Sequence, residues 1–458
     1  MAWEALTFTV GQIFTAAQAN KLQENIRDVR RSAYGATAPT SAEAGVEWWD
    51  TSGTYQTKKV YTGSQWIPTL FFDTSQQEGG LAPNGDTWGS IPMVITNGER
   101  TDFFGPAFTP KNMLLNGNFR FWQRGSSIAV ASYRAFAADR WIVDNRGSFT
   151  VAVSQSTFNP GQSASRYSLE ARITNPQVTL NSGNILSLVQ PVEGSVHART
   201  LWGSAGYARL ARVSMWFWSG VTGRFSIYIA NGSRNVTQCA GFNISVASTW
   251  TQVQAGFVAV NSGSWAGDNA CGAWVGIVLA AHTSFRTDTP AAWVLNSPDV
   301  RAASGQLQGA STSGTIFRMT DVQFELGEVL SPFDDLPMAF ELQLLRRYYQ
   351  KTFDLSVRPA DATGLNEGAI AVHADNTGHM VVSWPCLMRS NPNVSMYNPR
   401  SGGAVGRWYN FNNNIDGKSG SILSAGDSGI IFTGVAGVLS TAAFDKMLIH
   451  AAADAEIL

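Results

Sequence analysis

The sequence predicts a mainly β protein: an N-terminal helix, a small β module, a jelly-roll β-sandwich, a linking helix and a C-terminal β-sandwich domain. Three observations carry that reading. From Met113 onward most of the chain is short runs of β-branched and aromatic residues, separated by turns rich in Gly, Asn and Ser. Helical periodicity is confined to two stretches, and no repeat of 20 to 30 residues marks a parallel β-helix.

The elements follow in order. Thr15 with Gln18 three residues on forms a capping box, and Ala19, Leu22, Ile26, Val29 and Ala33 then recur at 3-4-3-4 spacing. So narrow an apolar stripe suits a self-associating coiled coil, although two heptads are too few to hold alone. Residues 1–34 form this segment. Residues 35–110 read as a small β module and connector: a strand at Trp48-Trp49-Asp50, a turn, a second stretch from Lys59 to Ile67 broken at Thr62-Gly63, then an extended loop-rich run from Phe72. Residues 111–352 read as the jelly roll with its closing helix. Phe225, Ile227 and Ile229 alternate onto one face, while Ala211–Trp218 and Ala273–Ala281 are apolar on both, as central strands require. Ile316, Val322, Phe324 and Leu326 are inward candidates on the last strand. Pro337 suits the first turn of a helix running to about Lys351, with Phe340, Leu344 and Tyr348 on one face. Residues 353–458 form the last domain, with strands near 369–374, 379–384, 429–432 and 446–451.

Composition narrows the function. Charged residues are 14% of 458, against roughly 25% in an ordinary soluble domain, and 32 basic side chains balance 33 acidic ones. A balanced charge lacks the basic footprint that nucleic acid or an anionic membrane surface requires. Disorder is excluded by the abundance of aromatic and β-branched residues. Three cysteines without a CxxC pair suggest free thiols, and the longest apolar stretch, Ala273–Ala281, is too short for membrane insertion. The opening MAWEALTFTV is acidic and lacks an apolar core, so no signal peptide is expected and folding in the cytoplasm of the producing cell is.

Several motifs then point one way. Leu115-Asn-Gly-Asn-Phe-Arg-Phe-Trp-Gln-Arg-Gly125 and Ala138-Asp-Arg-Trp141 resemble the opening of a domain found in bacteriophage tail-fibre and related receptor-binding proteins. Asp321-Val-Gln-Phe-Glu-Leu-Gly327, Ser331-Pro-Phe333 and Glu341…Arg347-Tyr-Tyr-Gln-Lys351 resemble its end. Thr9 to Asn20 resembles the attachment segment of such fibres, and Trp384 to Pro392 with Ala453 to Ile457 resembles the tip domain that often follows. The resemblance implies a structural virion protein, a homotrimer held partly by Ala19, Leu22, Ile26 and Val29. It would join other virion proteins of the tail or head, with the carbohydrate-binding-like jelly roll as shaft or lateral body and the C-terminal β domain as the tip facing host cell-surface polysaccharide. It leaves open a head fibre or capsid decoration protein, or a capsule-depolymerising glycosidase. It also raises a structural calcium, with Asp321 in the closing strand and Asn118 near the opening one as ligands; no other cofactor is expected.

Sugars are held by aromatic faces together with amides and short acids. Trp216 and Trp218 share one strand face opposite Met215 and Phe217, so one pair must point away from the core. The loop Gly406–Asp416 alternates Trp408, Tyr409 and Phe411 with Asn410 and Asn412, a composition suited to neutral sugars. Catalytic patterns are weaker. Gly426-Asp-Ser-Gly429 with His282 imitates a serine protease, but it runs into Ile430-Ile431 and the pieces fall in different domains. His373, Asp375 and His379 match no known metal spacing, and no hydrolase motif accompanies any carboxylate pair. The expected protein is not an enzyme.

Overall fold

The computed structural model describes residues 33–40, 46–52, 55–73, 78–80, 93–96, 99–102, 110–163, 165–295, 299–327, 329–359, 370–374, 379–400, 406–411, 414–434 and 445–457. The protein is mainly β, and its sheets are almost wholly antiparallel. It divides between Thr109 and Pro110 into two compact units. The seam residues Ala19, Leu22, Ile26 and Val29 lie outside the described residues. Ala33, the last of that seam, is not helical: Ala33–Gly35 is a strand paired in parallel with Trp48–Asp50.

The first unit holds a five-stranded sheet in the order Ala33–Gly35, Glu47–Asp50, Tyr55–Tyr61, Trp66–Asp73, Glu78–Gly80. Trp48 is its buried anchor, edge-on to Trp66 at 5.4 Å and capped by the Lys59 ammonium at 5.0 Å. Burial opposes the Asp50 charge, but the hydrogen bond from Lys59 at 2.7 Å, helped by Ser52, holds its carboxyl below the ordinary range. The stretch after Phe72 is less loop-like than its composition suggests, because Met93–Thr96 and Glu99–Asp102 close a hairpin.

The second unit opens with a β-sandwich. One sheet has seven strands, ordered Val294–Leu295, Val236–Ile244, Gly223–Asn231, Cys271–Ala281, Ile185–Glu193, Ile142–Asn145, Tyr133–Phe136. The other has six, ordered Trp250–Phe257, Ala211–Ser219, Ile316–Leu326, Ser168–Asn175, Thr150–Ser156, Ser127–Val130. Period-two alternation sends Phe225, Ile227 and Ile229 from one sheet against Met215 and Phe217 from the other. Phe217 meets Phe225 at 5.2 Å and Phe225 meets Phe317 at 5.7 Å, so aromatic rings bridge the layers.

The closing strand departs from simple alternation. Ser214 pairs with Gln323 and Trp216 with Thr320, so two residues oppose one around Asp321, which has a φ of 52°. Such a bulge inverts the parity of the strand. Phe317 and Met319 therefore face the core before it, Val322 and Phe324 after it, and Ile316 does not. The linking helix is also shorter than expected. It spans Met338–Arg346 and buries Glu341 and Leu345, not Phe340 and Leu344. Tyr349–Lys351 then leaves as a strand that pairs with Ala452–Asp454.

The last sheet is built around the long strand Asp445–Asp454. It pairs with Tyr349–Lys351, Ile370–Ala374, Asn393–Tyr397 and Arg407–Asn410, and the sheet continues through Ile415–Ala425, Gly429–Gly434 and His379–Ser383. Trp384, Met388, Met396, Phe432 and Ile449 form its core. No described helix is long and apolar enough to cross a membrane. Cys239, Cys271 and Cys386 are free thiols, and burial pushes Cys239 up to about 11 and Cys271 up to about 12.

Candidate glycan-binding face

The motif residues are structural. Asn116 is fully buried with a φ of 55°; its amide accepts from the Phe121 N–H (3.0 Å) and donates to the Phe121 and Asp139 carbonyls (2.8 and 3.1 Å). Gly117 must lack a side chain, since a Cβ there would stand 2.1 Å from the Val322 carbonyl oxygen. The Trp141 indole donates to the Asn116 carbonyl, and Glu341 accepts from the Asn116 N–H. Gln123 donates twice to Asp139, whose carboxyl is pushed above its ordinary range by burial. These residues fold the opening loop onto the closing strand and the helix.

The same motif residues reach the last sheet. Arg140 donates to Glu456 in a pair that is almost wholly buried, and its guanidinium lies 3.6 Å from the centre of the Tyr348 ring. Arg124 sits 3.7 Å over Tyr349 and bonds Asp454 at 3.0 Å. Burial works against its charge, but Glu456 and Asp454 hold its pKa above the ordinary arginine value.

The outer face of the six-stranded sheet is different in kind. Ala211, Val213, Met215 and Phe217 enter the core, which sends Arg212, Ser214, Trp216 and Trp218 outward. Register places Trp250, Trp218, Arg318 and Glu170 side by side on four adjacent strands. At about 4.8 Å per strand that row is roughly 14 Å long. The next row is Gln252, Trp216 and Thr320, and the one after it Gln254, Ser214 and Gln323.

From the loop after Ser156, Phe158 reaches over the first row, stacked on Trp250 at 5.9 Å and edge-on to Trp218 at 6.1 Å. Arg318 lies 4.7 Å from Phe158 and 4.4 Å from Trp218, held by Glu170 at 2.6 Å. Phe158 is 49% exposed and Trp216 and Trp250 are half-buried, while Trp218 is 8% exposed. The indole N–H groups of Trp218 and Trp250 are buried without an acceptor. Gln252 and Gln254 are exposed beside them. The face therefore combines aromatic surface with exposed amides.

The other expected residues separate. Tyr409 is 3% exposed; its hydroxyl donates to Asn414 at 2.7 Å and Arg400 lies over its ring. Asn410 is buried beside it, so both pack inside the sheet and neither offers a face to solvent. Phe411 is exposed, Trp408 lies on the strand opposite Lys418, and Asn412 falls outside the described residues. The two calcium candidates lie on neighbouring segments, since the Val322 N–H donates to the Gly117 carbonyl at 3.0 Å. Asp321 accepts from the Ser163 and Ser165 hydroxyls, whereas the Asn118 amide donates to Asp335 at 3.0 Å. No group of three His, Cys, Asp or Glu suited to a metal occurs among the described residues.

Ser428 lies in a hairpin turn closed by Gly426 and Gly429, and His282 caps the turn at Thr283–Phe285. His373 and His379 lie on separate strands, and Asp375 is outside the described residues. Sequence reading missed Trp250, Phe158, Arg318 and Glu170, which are distant along the chain. The alternation Trp250-Thr-Gln-Val-Gln-Ala-Gly-Phe257 held a usable signal, since the parity that buries Val253, Ala255 and Phe257 puts Trp250, Gln252 and Gln254 outward.

No protein-family model matches the sequence, and no curated protein matches it. Solved structures similar to part of it include the enzymatically active domain of bacteriophage CBA120 tailspike protein 4, at 14% identity and a TM-score of 0.26 over 47% of this chain and 22% of that one. They include a CBM4 module, at 9% and 0.24 over 46% of this chain and 98% of that one. A family 11 carbohydrate-binding module from Clostridium thermocellum, in complex with a mixed-linked tetrasaccharide, stands at 10% and 0.23 over 45% and 98%. The chain spans about a fifth of the tailspike structure's length. Likenesses this loose carry no functional weight, and the fold rests on its own sheets.

Proposed function

We infer that this protein is a non-enzymatic virion fibre or spike component that binds surface polysaccharide through the outer face of the six-stranded sheet. The observation that carries the reading is the row of Trp250, Trp218, Arg318 and Glu170 with Phe158 laid over it. A pyranose ring stacks its apolar face on Phe158, Trp250 and Trp216, and its hydroxyls exchange bonds with the exposed Gln252 and Gln254. The virion context rests on the ordered motif resemblance, and three copies on one fibre would multiply weak contacts by avidity. Incubation with bacterial surface polysaccharides tests the reading: retention of the polysaccharide without release of reducing ends supports it. Steady release of reducing ends would replace a binder with a depolymerase.

A further inference from the structure

A second polar site lies on the opposite layer, on the outer face of the seven-stranded sheet. Register sets Arg134, Asp144 and Ser187 side by side on adjacent strands. Asp144 is fully buried and receives four guanidinium groups: Arg301 at 2.7 Å, Arg146 at 3.3 Å, Arg134 at 3.4 Å and Arg234 at 3.7 Å. The second carboxylate is Asp299, bound to Arg301 and to Arg146 at 3.2 Å. Four cations thus face two anions, which leaves an excess of two positive charges in a largely buried site.

The donors are not exhausted by those pairs. Arg234 is 8% exposed and its guanidinium lies 4.0 Å from the Trp274 ring centre, yet its Nε and Nη2 have no acceptor. The Tyr228 hydroxyl and the Ser187 hydroxyl are also buried and unpartnered. Gly276 makes room for this arrangement, since a Cβ there would stand 2.4 Å from the Tyr228 ring. Burial pulls Arg234 below the ordinary arginine value, an environment that asks for a further negative charge. Arg134 and Arg146 keep 22% and 31% of their side-chain surface exposed, which opens the cluster on their side.

We propose that the cluster of Arg134, Arg146, Arg234 and Arg301 with Tyr228 and Ser187 is a binding site for a compact oxyanion, a carboxylate or sulfate group. Charge-assisted bonds from planar guanidinium groups suit such a group. Two sources share that chemistry, an acidic saccharide and a free inorganic anion. The saccharide source rests on the glycan-binding reading above, while the oxyanion site does not.

Thermal shift of the full chain at matched ionic strength tests it, with sodium sulfate at low millimolar concentration, an oligogalacturonate and a neutral oligosaccharide as probes. Sulfate and oligogalacturonate should both raise Tm and the neutral sugar should not act here. Arg234→Gln and, separately, the more exposed Arg134→Gln should each weaken the response about tenfold or more. A response to sulfate alone would overturn the saccharide source and keep the oxyanion site. No response to either anion, or a response in both variants equal to the parent's, would overturn the site. The sulfate response should persist when Trp216 and Trp250 are both changed to Ala, so failure of the glycan face reads differently from failure of this cluster.

Discussion

Replacing Glu456 with Gln removes the carboxylate that receives Arg140 while keeping its volume. The pair is almost wholly enclosed, with side-chain exposures of 2% and 1%, and Arg124 approaches the same carboxylate at 3.4 Å. After the change Arg140 keeps the Pro191 carbonyl as an acceptor, and Arg124 keeps Asp454. A buried cation that loses its partner costs about 3–5 kcal/mol. The unit from Pro110 to Leu458 has roughly 350 residues. At about 2.1 cal/mol/K per residue its unfolding entropy is about 0.7 kcal/mol/K, so Tm should fall by about 4–7 °C. Calorimetry reads that shift directly. Arg140→Met with Glu456→Leu should recover most of it, because an apolar pair replaces both charges. A fall under about 1.5 °C for Glu456→Gln would refute the claim that this pair fastens the last sheet to the sandwich.

Other expectations follow from the same geometry. Burial, against Trp265 for His197 and helped by Lys351 for His450, holds both histidines near a pKa of about 4. The unfolded chain takes these protons near 6.5, so stability present above that pH is lost as pH falls toward 4, by up to about 3 kcal/mol for each. Urea midpoints across that window should decline, and His197→Gln should flatten the decline; a level profile would contradict it. Gly117→Ala sets a methyl group against the Val322 carbonyl and should lower Tm by several degrees, whereas Gly161→Ala, with open space around it, should not. Replacing Leu22 and Ile26 with Asp should convert the expected trimer to monomer in sedimentation, and an unchanged mass would remove the N-terminal seam from the assembly.

Period-two patterning showed the sandwich strands and which face of Arg224–Ala230 meets the opposite sheet, because alternation is a local property of the chain. The bulge at Asp321 was invisible, since it depends on what pairs opposite, and it moved Phe317 and Met319 into the core. The helix after Pro337 ended early because Tyr349–Lys351 gains a ladder with the C-terminal strand, a contact across about 100 residues. The outward pair Trp216 and Trp218 was half legible, as parity names two faces without saying which is covered. Trp250 and Phe158 needed the register. Tyr409 and Asn410 show the reverse: an aromatic–asparagine alternation reads as a surface, while their partners Arg400 and Asn414 hold that segment within the sheet.

Affinity of the full chain for a bound polysaccharide, with Trp216 and Trp250 together changed to Ala, tests the central claim most directly. Loss of two stacking surfaces of about 0.5–1.5 kcal/mol each predicts binding weaker by about fivefold to a hundredfold, in a variant that still unfolds cooperatively. Phe411→Ala should bind as the parent does. Undiminished affinity in the double variant would contradict the account, and a loss confined to Phe411→Ala would move the glycan to the C-terminal sheet.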